Sequence, residues 1–251
     1  CSSDLLVACR DGDAVLALLT ALEADLGDVL SAFEVMSANA VAAVLAHQPN
    51  LRRPFAELPR YAVLVELSST LPADTLVLDA VLEARLGAFL ETAGDAVLDV
   101  LVGKGDEFWQ IRHHISESLR SEGKMLAFDI SVPRSALPAF TADVERLLAR
   151  DWPAVRLCDY GHWGDGGTHL NLVWNEATIG RAAAEVIAAL QPSIYELAVR
   201  GYAGSYSAEH GVGPHNQRYY DLYTDPLVKQ FCALLGGFCD PQDRLGTVRL
   251  E

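Results

Sequence analysis

The stretch MLAFDISV, residues 125–132, alternates apolar Leu126, Phe128, Ile130 and Val132 with Ala127, Asp129 and Ser131. Side chains two apart on a strand share a face, so this run buries one side and leaves the other polar. AVLDVLVG, residues 96–103, interrupts its apolar run with Asp99 in the same spirit. Strands of this kind belong to a sheet with helices packed on one face. That favours an α+β fold with a mostly antiparallel sheet over a doubly wound parallel one.

Similar β-type runs lie on either side: LLVAC (5–9), LSAFEVM (30–36), YAVLVELSS (61–69) and VRLCDYGHW (155–163). Each is rich in Val, Leu or aromatic residues and bounded by Gly, Asp, Pro or Ser. Helical patterns separate most of them. Asp13 caps the first, in which Val15, Leu18, Leu19, Leu22 and Leu26 recur at helical spacing before Gly27. Others run from Pro72 to about Thr92 ahead of Gly94, from Asp106 to Arg120, and from Ser135 to Arg150. The alternation predicts two ferredoxin-like βαβ halves with helices on one face. No Gly/Ser/Pro-rich linker divides the chain, so residues 1–251 read as one unit.

Composition narrows the partners. Nineteen Lys and Arg against 34 Asp and Glu give a net charge of −15, which lacks the phosphate-neutralising charge that nucleic acid requires. No apolar run reaches the roughly 20 residues of a membrane span. The five cysteines (Cys1, Cys9, Cys158, Cys232, Cys239) are odd in number and form no CxxC pair. Such usage points to a reducing compartment, taken as the cytoplasm.

Two segments carry chemistry. In CDYGHWGDGGTHLNLVW, residues 158–174, Asp165-Gly166 predicts a two-residue type I′ hairpin. That register sets His162 opposite His169, close enough for both imidazoles to reach one ion, with Tyr160 and Asn171 on the same face. In GSYSAEHGVG, residues 204–213, Glu209 and His210 stand as adjacent acid and base among glycines that permit close approach of a ligand. The carboxylate completes a two-His, one-carboxylate set for a divalent transition metal. Taken singly, the first segment reads more readily as solvated histidines beside a tight turn, and the second as an exposed loop.

Together, GHWGDGGTHLN and GSYSAEHGVG resemble the paired motifs GHxGDGNLHxN and SAEHGxG of the FAD-linked oxidase C-terminal domain. That family includes D-2-hydroxyglutarate dehydrogenase, FAD-dependent D-lactate dehydrogenase and the flavin subunit of glycolate oxidase. FWQIRHHI and FDISVP upstream, and LSAFEVMS near the start, extend the resemblance over nearly the whole chain.

The resemblance implies that His162, His169 and Glu209 ligate a divalent metal such as Zn, Mn or Fe. It implies His210 as the proton acceptor, and Glu209, His210 and Gly211 as the residues next to the flavin. Arg112, Ser116 and Asn171 would bind a small 2-hydroxy acid. FAD would be held mainly by an N-terminal domain outside this chain, since no GxGxxG turn occurs within it, and the fragment alone would be inactive. An electron acceptor for reduced flavin and a homodimer also follow as expectations. Asn216 stands where relatives often carry Lys, and Ala127 where 2-hydroxyglutarate enzymes can carry one. A flavin oxidase acting on another alcohol, or a metal-binding module without catalysis, stay open as alternatives.

Overall fold

In a computed structural model, the description covers residues 2–72, 74–103, 106–242, 244, 248 and 249; Cys1 lies outside it. Among the described residues the strands are β1 (Ser2–Cys9), β2 (Leu30–Ser37), β3 (Tyr61–Ser68), β4 (Val97–Gly103), β5 (Lys124–Ser131), β6 (Arg156–Gly161) and β7 (Gly167–Trp174). The helices are α1 (Gly12–Leu26), α2 (Ala38–His47), α3 (Leu78–Ala93), α4 (Glu107–His113), α5 (Ile115–Glu122), α6 (Leu137–Asp151), α7 (Glu176–Ile179), α8 (Ala183–Glu196), α9 (Gly213–Tyr223) and α10 (Pro226–Cys239). One sheet runs β4-β1-β3-β2-β6-β7-β5, and its paired strands are antiparallel throughout.

The order contains the two halves the alternation predicts. β1 and β2 both pair with β3, so they are parallel to each other, with α1 crossing between them; β3 and β4 flank β1 in the same way through α3. This is the interleaved pair of βαβ units of a ferredoxin-like half. The second half repeats it with β5, α6 and β6 around β7, followed by α8. Where a fourth strand would flank β5, Ser205 instead forms a single antiparallel bridge with Ser131. The halves meet at β2 and β6 through two residue pairs, Val35 with Gly161 and Met36 with Tyr160.

The α+β class and antiparallel sheet match the sequence reading, while the coverage of the sheet is fuller than one face. Leu5, Val7, Val63 and Val65 join α1, α3, α6 and α8 in the larger core. Leu6, Ala8, Ala62 and Leu64 point the other way and meet α2, α4 and α5 in a second cluster. β1 and β3 are therefore apolar on both faces, as LLVAC and YAVLVELSS are in sequence; the one-faced pattern holds only for the outer strands. α10 contributes no buried residue and exposes Leu227, Phe231, Leu234, Leu235 and Phe238.

Several boundaries also move. Asp11, not Asp13, caps α1, its Oδ1 accepting from Ala14 N at 2.9 Å. The stretch from Asp106 to Arg120 is two helices broken at His114, whose Nδ1 lies 2.7 Å from Gln110 O. The β5 edge imposes a tight fit on the segment that bridges it: a Cβ added to Gly204 would lie 2.3 Å from Ser131 O and 2.7 Å from Val132 Cγ1. Gly204→Ala should therefore destabilise the protein by about 1–3 kcal/mol, the usual cost of overpacking. Urea denaturation reads this directly, and an unchanged midpoint would contradict the close approach.

Candidate functional site

The site forms where the β6–β7 loop, β7 and the segment after α8 meet beside the junction of the two halves. His162 is not directly opposite His169, as the hairpin reading expected. Tyr160 pairs with His169 and Cys158 with Asn171. A type I′ turn needs positive φ at both central residues. Among described residues other than glycine only Ala203 has one, so Asp165 does not adopt it. Its carboxylate accepts Gly167 N–H at 2.8 Å, and His162 O accepts Asp165 N–H and Gly167 N–H, closing a longer loop. His162 remains a diagonal neighbour of His169 on the same face, and the ring centroids are 5.5 Å apart. Tyr160 stands beside them, 5.2 Å from the His169 ring.

Glu209 and His210 arrive from the far side. Ser205 exchanges two backbone hydrogen bonds with Ser131, and Ala208 N–H donates to Asp129 O at 3.0 Å. The Asp129 carboxylate then takes both next donors: Oδ2 accepts Glu209 N–H and His210 N–H, each at 2.8 Å. The same group lies 3.3 Å from His210 Nδ1 and 3.9 Å from His169 Nδ1. Glu209 Oε1 consequently sits 3.1 Å from His162 Nε2. One donor atom from each of His162, His169 and Glu209 falls within 4.8 Å of the other two. Two imidazoles and a carboxylate at that spacing suit a divalent transition ion with positions left open.

The three residues expected to bind substrate, Arg112, Ser116 and Asn171, lie close to this cluster. Arg112 places its guanidinium 4.6 Å over the Tyr160 ring, and Ser116 lies beside the Tyr160 side chain, so both face the site despite the break at His114. Asn171 is buried, with Nδ2 donating to His169 O at 3.0 Å. His210 is the most open of the group, its side chain 71% exposed, and nothing lies within 4 Å of a Cβ added to Gly211. His113 stacks on Trp109 instead, and Trp163 is buried against Tyr61. Asn216 is engaged elsewhere, accepting from Tyr195 Oη at 3.2 Å.

Sequence reasoning gave no role to two residues that hold this geometry, Asp129 and Glu34. Glu34 is buried on β2; Oε1 accepts from His162 Nδ1 and Oε2 from Arg112 Nε, both at 2.6 Å. Burial alone would push its carboxyl upward, yet the His162 hydrogen bond and the Arg112 charge hold it below the usual range. The same hydrogen bond raises His162. Burial lowers His169, which favours the neutral ring with a free lone pair. The only signal in the sequence was a carboxylate in the middle of an apolar strand, as in AFEVM and AFDIS.

The profile of the family described as FAD linked oxidases, C-terminal domain, matches residues 4–246. This chain belongs to that family. It is 31% identical over 249 residues to the mitochondrial D-2-hydroxyglutarate dehydrogenase of Arabidopsis thaliana, covering 97% of this chain and 42% of that protein. The corresponding Bos taurus protein is 33% identical over 243 residues, covering 94% of this chain and 41% of its own length. The chain thus spans less than half of these relatives. Substrate-bound p-cresol methylhydroxylase superposes with a TM-score of 0.66 at 12% identity, over 100% of this chain and 52% of that one, a likeness of fold.

Asp129→Ala should free the Glu209 and His210 amides. Hydrogen bonds to a charged acceptor contribute about 1.5–3 kcal/mol each, so exchange at these two amides should accelerate by about tenfold or more. Unaltered protection in hydrogen-exchange NMR would contradict the role of Asp129 as their anchor.

Proposed function

We propose that this chain is the substrate-binding, cation-holding domain of an FAD-dependent dehydrogenase that oxidises a D-2-hydroxy acid of the lactate, glycolate or 2-hydroxyglutarate type to the 2-oxo acid. The observation that carries this reading is the convergence of His162, His169 and Glu209 between Arg112 on one side and His210 on the other. The family name supports FAD, and the relatives named above support a hydroxy-acid substrate. Most of the flavin contacts would come from chain beyond this domain, in the longer part that those relatives possess. The open ground at His210 and Gly211 is where this domain would face it.

When bound, a divalent cation (Zn, Mn or Fe) supplies Lewis acidity to the substrate's hydroxyl and carboxylate oxygens, and FAD the acceptor for the C2 hydride. The protein's own residues then divide the remaining work. The Arg112 guanidinium keeps its Nη groups for the substrate carboxylate while Nε is held by Glu34. Ser116 and Asn171 line the same face and orient the bound acid. His210, exposed and beside Asp129, accepts the hydroxyl proton at its imidazole. Ala127, exposed across from Asn171, brings no cation for a distal carboxylate, so the substrate is read as a class.

A reducing compartment, cytoplasmic or mitochondrial as in the relatives' names, suits the unpaired Cys9, Cys158, Cys232 and Cys239. No helix among the described residues is long and apolar enough to cross a membrane. Reduced flavin would still need an electron acceptor.

Two measurements test the reading. Metal analysis of the intact protein should find about one divalent ion, lost in His169→Ala; equal content in both would reject the ligand set. Arg112→Ala should raise the KM for the hydroxy acid by about tenfold or more with a smaller change in kcat, because the lost contact serves ground and transition states alike. An unaltered steady-state profile would remove Arg112 from the site.

A further inference from the structure

We infer that Glu34 is a positioning residue that aims His162 at the cation and Arg112 at the substrate carboxylate, joining the two halves of the site through one buried side chain. The inference rests on the reading that His162, His169 and Glu209 hold a divalent ion. Glu34 stands on β2 in the first half of the sheet, whereas His162 follows β6 in the second, and β2 and β6 are joined by two residue pairs. Its side chain is 6% exposed, so both oxygens need partners from the protein. Each has one: Oε1 takes His162 Nδ1 and Oε2 takes Arg112 Nε, at 2.6 Å in both cases.

A carboxylate accepts and does not donate, so His162 must carry its hydrogen on Nδ1. Nε2 is then the ring nitrogen left for a cation, and it is the one that faces Glu209 at 3.1 Å. A carboxylate behind a ligating imidazole fixes the tautomer and ring orientation and raises ligand basicity. Glu34 itself is outside the group of side chains within ligating distance, so it acts through His162. On the other side, a guanidinium held by Nε and stacked on Tyr160 keeps its fork in one orientation, with both Nη groups uncommitted to Glu34.

An ion pair that merely fastened α4 to the sheet would need one oxygen of Glu34 and would leave the cation site indifferent to its loss. The second oxygen, on His162, makes the difference measurable. Glu34→Gln keeps the shape but offers a single acceptor to two donors, so either His162 Nδ1–H or Arg112 Nε–H loses its partner.

The experiment titrates zinc alone into the intact wild-type protein and Glu34→Gln by calorimetry with a competing chelator, and follows the rise in Tm that zinc produces in each. The wild type should bind zinc, and Glu34→Gln should bind it about 10–100-fold more weakly, the usual effect of removing such a partner. Its zinc-induced rise in Tm should shrink beyond any drop in the metal-free Tm. Wild type that binds and Glu34→Gln that binds equally overturns this inference alone; wild type that takes no zinc overturns the cation site as well. If Glu34→Gln does not fold, long-range ¹⁵N NMR of the zinc-loaded wild type decides. A His162 ring protonated at Nδ1 is the expected result, and one protonated at Nε2 overturns it.

Discussion

The free edge of β5 is the constraint on which the site depends. Ser131 N–H and C=O and Asp129 C=O lie at the place where a fourth strand of the second half would pair, and a short irregular segment satisfies them instead. Ordering such a segment costs about 1–2 kcal/mol per residue in backbone entropy. Few apolar side chains offset that cost; Tyr206, packed edge-on against Tyr195, is the main one. The Asp129 carboxylate therefore matters out of proportion to its size, because two charge-assisted hydrogen bonds fall on Glu209 and His210, the two residues of this segment in the proposed site. A regular fourth strand would have paired with the edge but pointed alternate side chains away from the site.

A second consequence concerns charge. The protein as a whole is strongly acidic, yet this corner gathers three imidazoles and a guanidinium around the carboxylates of Glu34, Asp129 and Glu209. The division of labour follows from burial. Glu34, enclosed, answers to His162 and Arg112; Asp129, half-enclosed, to backbone amides; Glu209, open, faces the place a cation would take. His162 lies between two carboxylates, an environment that favours positive charge on or beside the ring. In the proposed site a divalent ion would supply that charge with better geometry than a proton, since it would also engage His169.

Much of the architecture was legible from alternation alone, because outer strands such as 125–132 carry the one-sided pattern of a half-buried sheet. The second helical layer was not, since an all-apolar run like YAVLVELSS is compatible with burial on either face or both. The hairpin register failed for a local reason. Asp165-Gly166 supports two turn chemistries, and the aspartate used its side chain to bind Gly167 N–H rather than adopting positive φ. The pairing of the two histidines survived that error because the register moved by two residues, Tyr160 rather than His162 facing His169, and a shift of two keeps both side chains on one face. The residues that position them, Glu34 and Asp129, are distant in sequence from everything they hold, and nothing local marks them except a carboxylate out of place in an apolar run.

Anomalous diffraction from crystals of the intact protein, collected at the zinc edge after zinc soaking, tests the central claim most directly. The account predicts one strong peak bounded by His162 Nε2, the His169 ring and the Glu209 carboxylate, at about 2.0–2.2 Å from each ligating atom. A peak at another cluster of side chains, or density at this position that touches only one of the three, would contradict it.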